Sequence, residues 1–270
     1  AALGGGGAVG IAAAVGTDCT DALLAPLLRA GIDVSGLLRG APATPRAWQR
    51  FSASGERSHL WQVAPPPGET VYQAALKALP SQYRMARAMH WGLHPENPTL
   101  ALAQQFGAAG ATISLETFRP PDRPLEAEAL RDLVTACTVF SPSWGEASAM
   151  IGSADAASVV RGFRAAGCQV LVLRRAEQGA DVWDFRSGGL VGLHVPAVPV
   201  EVVDTTGAGN AFAGAFLARL DDGIAAAAAH GAAAASFMLE QFGMPPSLPD
   251  PLDFARRAAW AQERQSRLTL

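Results

Sequence analysis

The sequence is poor in cysteine: Cys19, Cys137 and Cys168 are its only three in 270 residues. Their wide spacing supports neither a disulfide framework nor a zinc site, so a reducing compartment is expected. It lacks any dense Lys/Arg run, and its net charge is −3. A nucleic-acid surface is therefore not expected. It also lacks an apolar run of membrane-spanning length. The alanine-rich stretch from Ile224 to Ala235 is short, is interrupted by His230 and Gly231, and is bounded by Asp221, Asp222 and Glu240, so no membrane segment is expected. No secretory signal pattern is present. The chain begins at Ala1 rather than Met. The expected location is intracellular, cytoplasmic in the first instance, with an organelle as the alternative if a targeting peptide was removed. His90 and His94 stand four apart, but Gly92 and Pro95 argue against the helix that would make them a metal pair, and no third ligand is evident.

What is present is enough apolar material, 49% of residues, for one α/β domain or a domain with a small lid. The organising stretch is Asp204-Thr205-Thr206-Gly207-Ala208-Gly209-Asn210. A β-branched run ending in Val202-Val203 precedes it and a small-residue helical pattern follows it. Strand, glycine turn and helix N-terminus together suit an anion. Glycines allow a tight turn and close approach, and the first helical N–H groups point at the ligand with the positive end of the helix dipole behind them. Asp204 precedes the turn and is expected to cap it.

Along the chain, 9–15 reads as a strand, 20–30 as a helix closed by Gly31, and 32–37 as a short edge segment. Residues 44–63 alternate around Ser54-Gly55-Glu56-Arg57 and predict a hairpin. Trp48 and Trp61 are expected to fill a lid interface there or to stack on a ligand. A helix is expected over 70–79. From there strands and helices alternate: strands at 88–93, 111–115, 138–140, 169–173 and 200–203, a hairpin of 180–185 with 190–195 around Ser187-Gly188-Gly189, and helices at 97–106, 125–136, 145–151, 154–166, 211–220, 223–240 and 251–266. The helix at 97–106 is expected to close at Gly107 or Gly110. This alternation predicts a mostly parallel sheet covered on both faces, with the ligand at the carboxyl ends of its strands. Arg174 and Arg175, at such an end, either touch phosphates or form a solvated strand end.

These residues resemble the PfkB, or ribokinase-like, carbohydrate kinase family over nearly the whole chain. Val203–Gly209 is similar to its C-terminal signature, Leu3–Gly7 to its N-terminal glycine motif, and Thr17-Asp18 with Leu23–Gly36 to the segment after that motif. Phe140–Glu146 is similar to its Asn-x-x-Glu element, with Ser143 in the Asn position, and Leu171–Gly179 to the strand and glycine turn near the nucleotide. Thr44–Trp48, Trp91–Pro95, Glu240–Pro245 and Asn210 resemble most the branch that includes the fungal maintenance-of-killer protein and its plant and algal relatives.

The resemblance implies a ribokinase-like three-layer αβα sandwich with a mostly parallel central sheet. One kinase domain would span 1–270, with a small β lid at 41–65. The activity implied is ATP-dependent transfer of the γ-phosphoryl group to a hydroxyl of a sugar or sugar-like alcohol whose identity the sequence does not name, with Mg²⁺ as cofactor. Gly207, Ala208 and Gly209 would form the anion hole and Asn210 would occupy the base position. Asp204, Thr205, Thr206, Arg174 and Gly179 would line the nucleotide, Gly5 and Gly6 the substrate, and Glu146 the metal. A homodimer through the lid is the assembly implied.

Three departures stand out. An amide at Asn210 cannot accept a proton as the family's Asp does. Ser143 replaces Asn. The family's first strand, which bears a sugar-binding residue, does not precede the glycine motif, and the run from Gly7 into 9–15 leaves no room for both its first helix and the next strand, so either the sequence is incomplete or part of the sugar pocket is missing. These departures make a catalytically inactive binding or scaffolding subunit the second reading. An oxidoreductase is disfavoured because no acid follows the glycine motif by about 20 residues at a strand end.

Overall fold

Val170, Leu171, Val172 and Leu173 are each at most 1% exposed. A strand with no polar alternation must be covered on both faces, and this one lies at the centre of the larger of two compact units. The computed structural model describes residues 8–41, 43–51, 57–64, 78–96, 98–186 and 191–270. They divide into a unit up to residue 86 and a unit from Arg87 to Leu270.

The smaller unit contains β1 (Gly10–Gly16), α1 (Asp21–Arg29), β2 (Asp33–Ala41), β3 (Arg46–Phe51) and β4 (Arg57–Val63). β1 and β2 pair in parallel, so the expected edge segment at 32–37 is a longer strand. Tyr83 explains two of its glycines. Its ring lies where a Cβ at Gly10 or Gly36 would sit, and its hydroxyl donates to the Asp33 carbonyl at 2.7 Å. Asp18 fixes the chain entering β3: its Oδ1 accepts the Thr44 N–H at 2.7 Å and the Thr44 hydroxyl at 2.8 Å. Those two bonds hold the Asp18 carboxyl below its ordinary range. β3 and β4 form the expected antiparallel hairpin, in which Trp48 faces Leu60 and Trp61 faces Ala47. Cross-strand partners share a face and neighbours alternate. The two tryptophans therefore lie on opposite faces of the hairpin.

The larger unit is a sheet ordered β11-β10-β9-β8-β7-β6-β5 among the described residues. Its strands are β5 (Ala88–Leu93), β6 (Thr112–Thr117), β7 (Val139–Phe140), β8 (Val170–Arg174), β9 (Ala180–Asp184), β10 (Val191–Val195) and β11 (Ser266–Leu268). β5 to β8 run parallel, and β9, β10 and β11 extend the sheet antiparallel. Its helices are α2 (Ala101–Ala108), α3 (Ala127–Thr135), α4 (Trp144–Ile151), α5 (Ala156–Ala165), α6 (Ala208–Ala218), α7 (Ile224–Leu239) and α8 (Pro251–Glu263). With them the sheet forms the middle of a three-layer αβα arrangement.

The alanine-rich helices are close-packed partners. Ala227, Ala228, Ala229 and Ala233 are fully buried. Gly231 admits the Phe212 ring, which would lie 2.9 Å from a Cβ there. Phe212 and Phe216 stack, with centroids 6.1 Å apart. α8 begins with Asp250 accepting the N–H groups of Leu252 and Asp253 and with Pro251 in its first turn.

Several boundaries differ from expectation. α2 starts at Ala101 rather than 97, runs through Gly107, and closes with Gly110 at φ +94°. Residues 200–203 are not a strand. Pro196 and Pro199 remove ladder donors on the approach, and Val202 and Val203 are 57% and 42% exposed. The short β11 carries no sequence signal of its own. The glycine motif 3–7, the turns at 54–56 and 187–189, and all but the end of the helix expected at 70–79 lie outside the described residues.

The turn between β8 and β9 contains Ala176 at φ +51° and Gly179 at φ +99°, and a Cβ at Gly179 would collide with the Val195 carbonyl. Gly179→Ala is expected to destabilise the fold by about 2–4 kcal/mol. Ala176→Gly, which relieves a left-handed alanine, should be neutral or stabilise by up to about 1 kcal/mol. Urea unfolding of the two variants measures both; equal effects would remove the argument.

Candidate active site

The parallel strands β6, β7 and β8 end at one edge of the sheet, and α6 begins there too. The approach to α6 is held by the end of α7: the N–H groups of Val203 and Asp204 both donate to the Leu239 carbonyl, at 2.7 and 3.2 Å. Asp204 Oδ1 then accepts the Thr206 N–H at 3.0 Å, which makes Asp204 the cap of the turn, as expected. Gly207 takes φ +85° as the residue before the helix, a conformation natural to glycine. The Ala208 N–H reaches the Thr205 carbonyl at 3.3 Å, and the first helical bond runs from Ala211 N–H to Gly207 at 2.9 Å. Among the described residues, the N–H groups of Gly209 and Asn210 find no backbone acceptor. Such first-turn donors are where a helix takes an anion. Asn210 is exposed.

Arg174 at the end of β8 supplies the rest of the cradle. Its guanidinium lies directly against Gly209, where a Cβ would collide with Nη1. Its Nε and Nη2 donate to the Ser141 carbonyl at 3.1 and 2.8 Å. Nη2 also pairs with Glu116 Oε2 at 2.8 Å and stands 3.8 Å from Glu146 Oε2. Nη1 makes no hydrogen bond among the described residues. One arginine thus joins the ends of β6, β7 and β8, the start of α4 and the start of α6. All three charged side chains are largely withdrawn from water, at 20%, 11% and 8% exposure for Arg174, Glu116 and Glu146.

Glu146 also closes a capping box at the start of α4. Its Oε2 accepts the Ser143 N–H at 2.7 Å, and Ser143 Oγ accepts the Glu146 N–H at 3.3 Å. It is no surface residue. Burial, above all, pushes its carboxyl up from the ordinary range, while Arg174 pulls it down. Next to this group, His90 Nδ1 lies 3.0 Å from Ser114 Oγ, and His90 Nε2 lies 3.9 Å from Glu116. Burial first, and then Arg174, push the His90 imidazole down to about 4, so it is neutral near pH 7.

The structure therefore brings together Asp204, Thr205, Thr206, Gly207, Ala208, Gly209, Asn210, Arg174 and Glu146. Gly179 does not join them; its α-carbon faces the backbone at Val195–Ala197, and it shapes a turn. Arg175 pairs with Asp181 at 2.6 Å and covers Trp144. Gly5 and Gly6 lie outside the described residues. His94 borders Glu96 and Arg119, and no group of metal-ligating residues including it or His90 exists among the described residues. His230 bonds the Ala226 carbonyl within its own helix at 2.9 Å. Cys19, Cys137 and Cys168 are buried free thiols, and burial raises the Cys137 and Cys168 thiols well above their ordinary range. Among the described residues, no helix is long and apolar enough to cross a membrane.

Sequence reasoning missed Glu116. The available signal was an acid directly after the alternating segment Thr112-Ile113-Ser114-Leu115, in a strand expected to stop one residue earlier.

Residues 1–251 match the family model for pfkB family carbohydrate kinases. The chain belongs to that family. A curated cytidine kinase of Thermococcus kodakarensis is 28% identical over 220 residues, covering 81% of this chain and 76% of that protein. Among solved structures, fructokinase with bound ATP from Xylella fastidiosa superposes with a TM-score of 0.74 at 21% identity, covering 96% and 87% of the two chains. A putative ribokinase II from E. coli in complex with ATP and Mg²⁺ gives 0.72 at 19% identity, covering 96% and 85%. The fold of this family member is thus ribokinase-like.

The family's two cofactors fit the site unequally. The first-turn N–H groups, the positive helix end and the Nη1 of Arg174 are a donor set for a phosphate. The two carboxylates that could face a metal are already paired with Arg174, and a unit charge about 4 Å away acts with about 4 kcal/mol at protein-surface dielectric. The arginine therefore opposes direct binding of a divalent cation there.

His90 makes stability depend on pH. The unfolded imidazole takes up a proton near 6.5 and the folded one only near 4, so its contribution is present above 6.5 and is lost as pH falls between those values. The raised carboxyl of Glu146 works in the opposite sense, gaining stability as pH falls toward its ordinary value. His90→Gln should remove a loss on the order of 3 kcal/mol between pH 6.5 and 4. Chemical unfolding at both pH values, in native and variant protein, measures the difference; identical slopes would contradict it.

Proposed function

We propose that this family member is an ATP-dependent phosphotransferase acting on a hydroxyl of a sugar or nucleoside-like alcohol, with proton removal from that hydroxyl weakened. The observation that carries the reading is the cradle formed by the Gly207–Asn210 turn and the Arg174 guanidinium, which offers converging donors to a phosphate and little to any other group. The likeness to a cytidine kinase favours an acceptor hydroxyl on a ribose-type ring. ATP would supply the phosphoryl group. The chain's own residues would hold its charge: N–H groups of Gly209 and Asn210, and Nη1 of Arg174. In such transfers, positioning and charge neutralisation dominate.

Asn210, exposed in the first turn of α6, would orient a hydroxyl beside that phosphate, and its amide can hydrogen-bond but not take a proton. Asp204 does not substitute for it, because its carboxylate caps the Thr206 N–H. Nor do Glu116 and Glu146, which Arg174 holds. The same observation favours a second reading, in which the chain binds nucleotide and serves as a non-catalytic subunit.

General-base assistance contributes about 10²–10⁴-fold. Asn210→Asp is therefore expected to raise kcat by about two orders of magnitude or more. An acid in the first turn of α6 also suits the helix dipole, so the variant should fold. Calorimetry with ATP should show binding by both proteins, and turnover against a panel of sugars and nucleosides separates the readings. Native turnover well above background eliminates the scaffold. A gain confined to the Asp variant supports it. Failure of both proteins to bind ATP eliminates both readings.

A further inference from the structure

We infer that Arg174 does at this site the work of a divalent cation, so that the chain holds a nucleotide phosphate without a metal ion. The inference rests on the phosphate-binding reading above and extends it to the question of what balances the charge.

Glu116 and Glu146 end on a common point, and Arg174 Nη2 occupies that point, at 2.8 Å and 3.8 Å from their Oε2 atoms. The guanidinium cannot swing away freely. Its Nε and Nη2 are both anchored on the Ser141 carbonyl, and its other face rests on Gly209, a residue with no Cβ to displace it. This geometry divides the arginine into two parts. Nη2 faces the carboxylates, and Nε and Nη2 together fix the plane on the Ser141 carbonyl. Nη1, with two N–H bonds and no hydrogen-bond partner among the described residues, is left beside the first turn of α6.

A metal ion held by paired carboxylates at a phosphate does the same two things: it offsets the carboxylates and presents positive charge to the phosphate oxygens. Arginine is suited to the exchange because its charge is permanent and its planar fork meets carboxylate and phosphate oxygens together. No cluster of three or more His, Cys, Asp or Glu residues able to hold a metal is present among the described residues. Ser143, standing where the resemblance places an amide side chain, is used as the cap of α4. Glu146 is then held between the Ser143 N–H and the arginine.

The test is calorimetric titration of the full chain with ADP and with ATP, first in EDTA and then in excess MgCl₂. Dissociation constants that agree within about threefold support the inference. Binding that appears only with MgCl₂ overturns it while leaving the phosphate-binding reading intact, and absence of binding in both buffers overturns both.

Arg174→Ala supplies the converse. Losing a charged hydrogen-bond donor should weaken binding in EDTA by about 10- to 100-fold. With Glu116 and Glu146 released, MgCl₂ should recover part of that loss. The variant's melting temperature should also rise with MgCl₂ alone, whereas the native protein's should not. Unchanged affinity in EDTA, or an equal MgCl₂-induced rise in the native protein, overturns the inference. Arg174→Gln combined with Glu116→Gln removes one positive and one negative charge and so keeps the net charge of the cluster. It should also lose affinity in EDTA, and native-like binding by it counts against the role of Arg174.

Discussion

The buried ion cluster around Arg174 is the constraint on which the carboxyl edge of the sheet depends. Two carboxylates withdrawn from water would each carry a desolvation cost of several kcal/mol if unpaired. The guanidinium offsets both and adds two hydrogen bonds to the Ser141 carbonyl. Because its partners belong to three strands and the start of α4, the cluster fixes where those elements end relative to one another. Removing one member would strand the rest, so the cluster acts as a unit rather than as a sum of pairs.

The helices behind this edge serve the same geometry. α6 must bring its first turn close to β8, and α7 must lie close enough to α6 for Leu239 to hold Val203 and Asp204. Alanine and glycine at the contact make that spacing available, while Phe212 and Phe216 provide most of the apolar bulk. The short side chains of these alanine-rich helices permit the close approach of the two helices.

Most of the larger unit was legible from sequence because its signals are local. The unbroken apolar run 170–173 announced a strand covered on both faces, and Thr205–Asn210 announced a glycine turn into a helix. What was not legible depended on partners distant in sequence. Residues 200–203 have the composition of a strand, but the preceding prolines and the bond from Val203 to the end of α7 leave them outside the sheet. β11 exists only because β10 offers an edge. The site was half legible. The turn could be found from its residues, and Glu146 from the family resemblance. Glu116 acquires its meaning only from an arginine 58 positions later (174 − 116), and nothing local marks that pairing. The tryptophans of the hairpin were close in the folded ribbon but on opposite faces, a distinction of register that composition does not carry.

A Cβ at Gly209 would meet the side chain of Arg174, far away in sequence, and this ties the evolutionary freedom of two distant positions together. A side chain at 209 is admissible only if position 174 first becomes smaller. A smaller residue at 174 is admissible only if Glu116 or Glu146 changes charge or gains another counter-ion. Descendants of this chain can therefore leave its present arrangement only along an ordered path of substitutions, in which the acids or the arginine change before the glycine does.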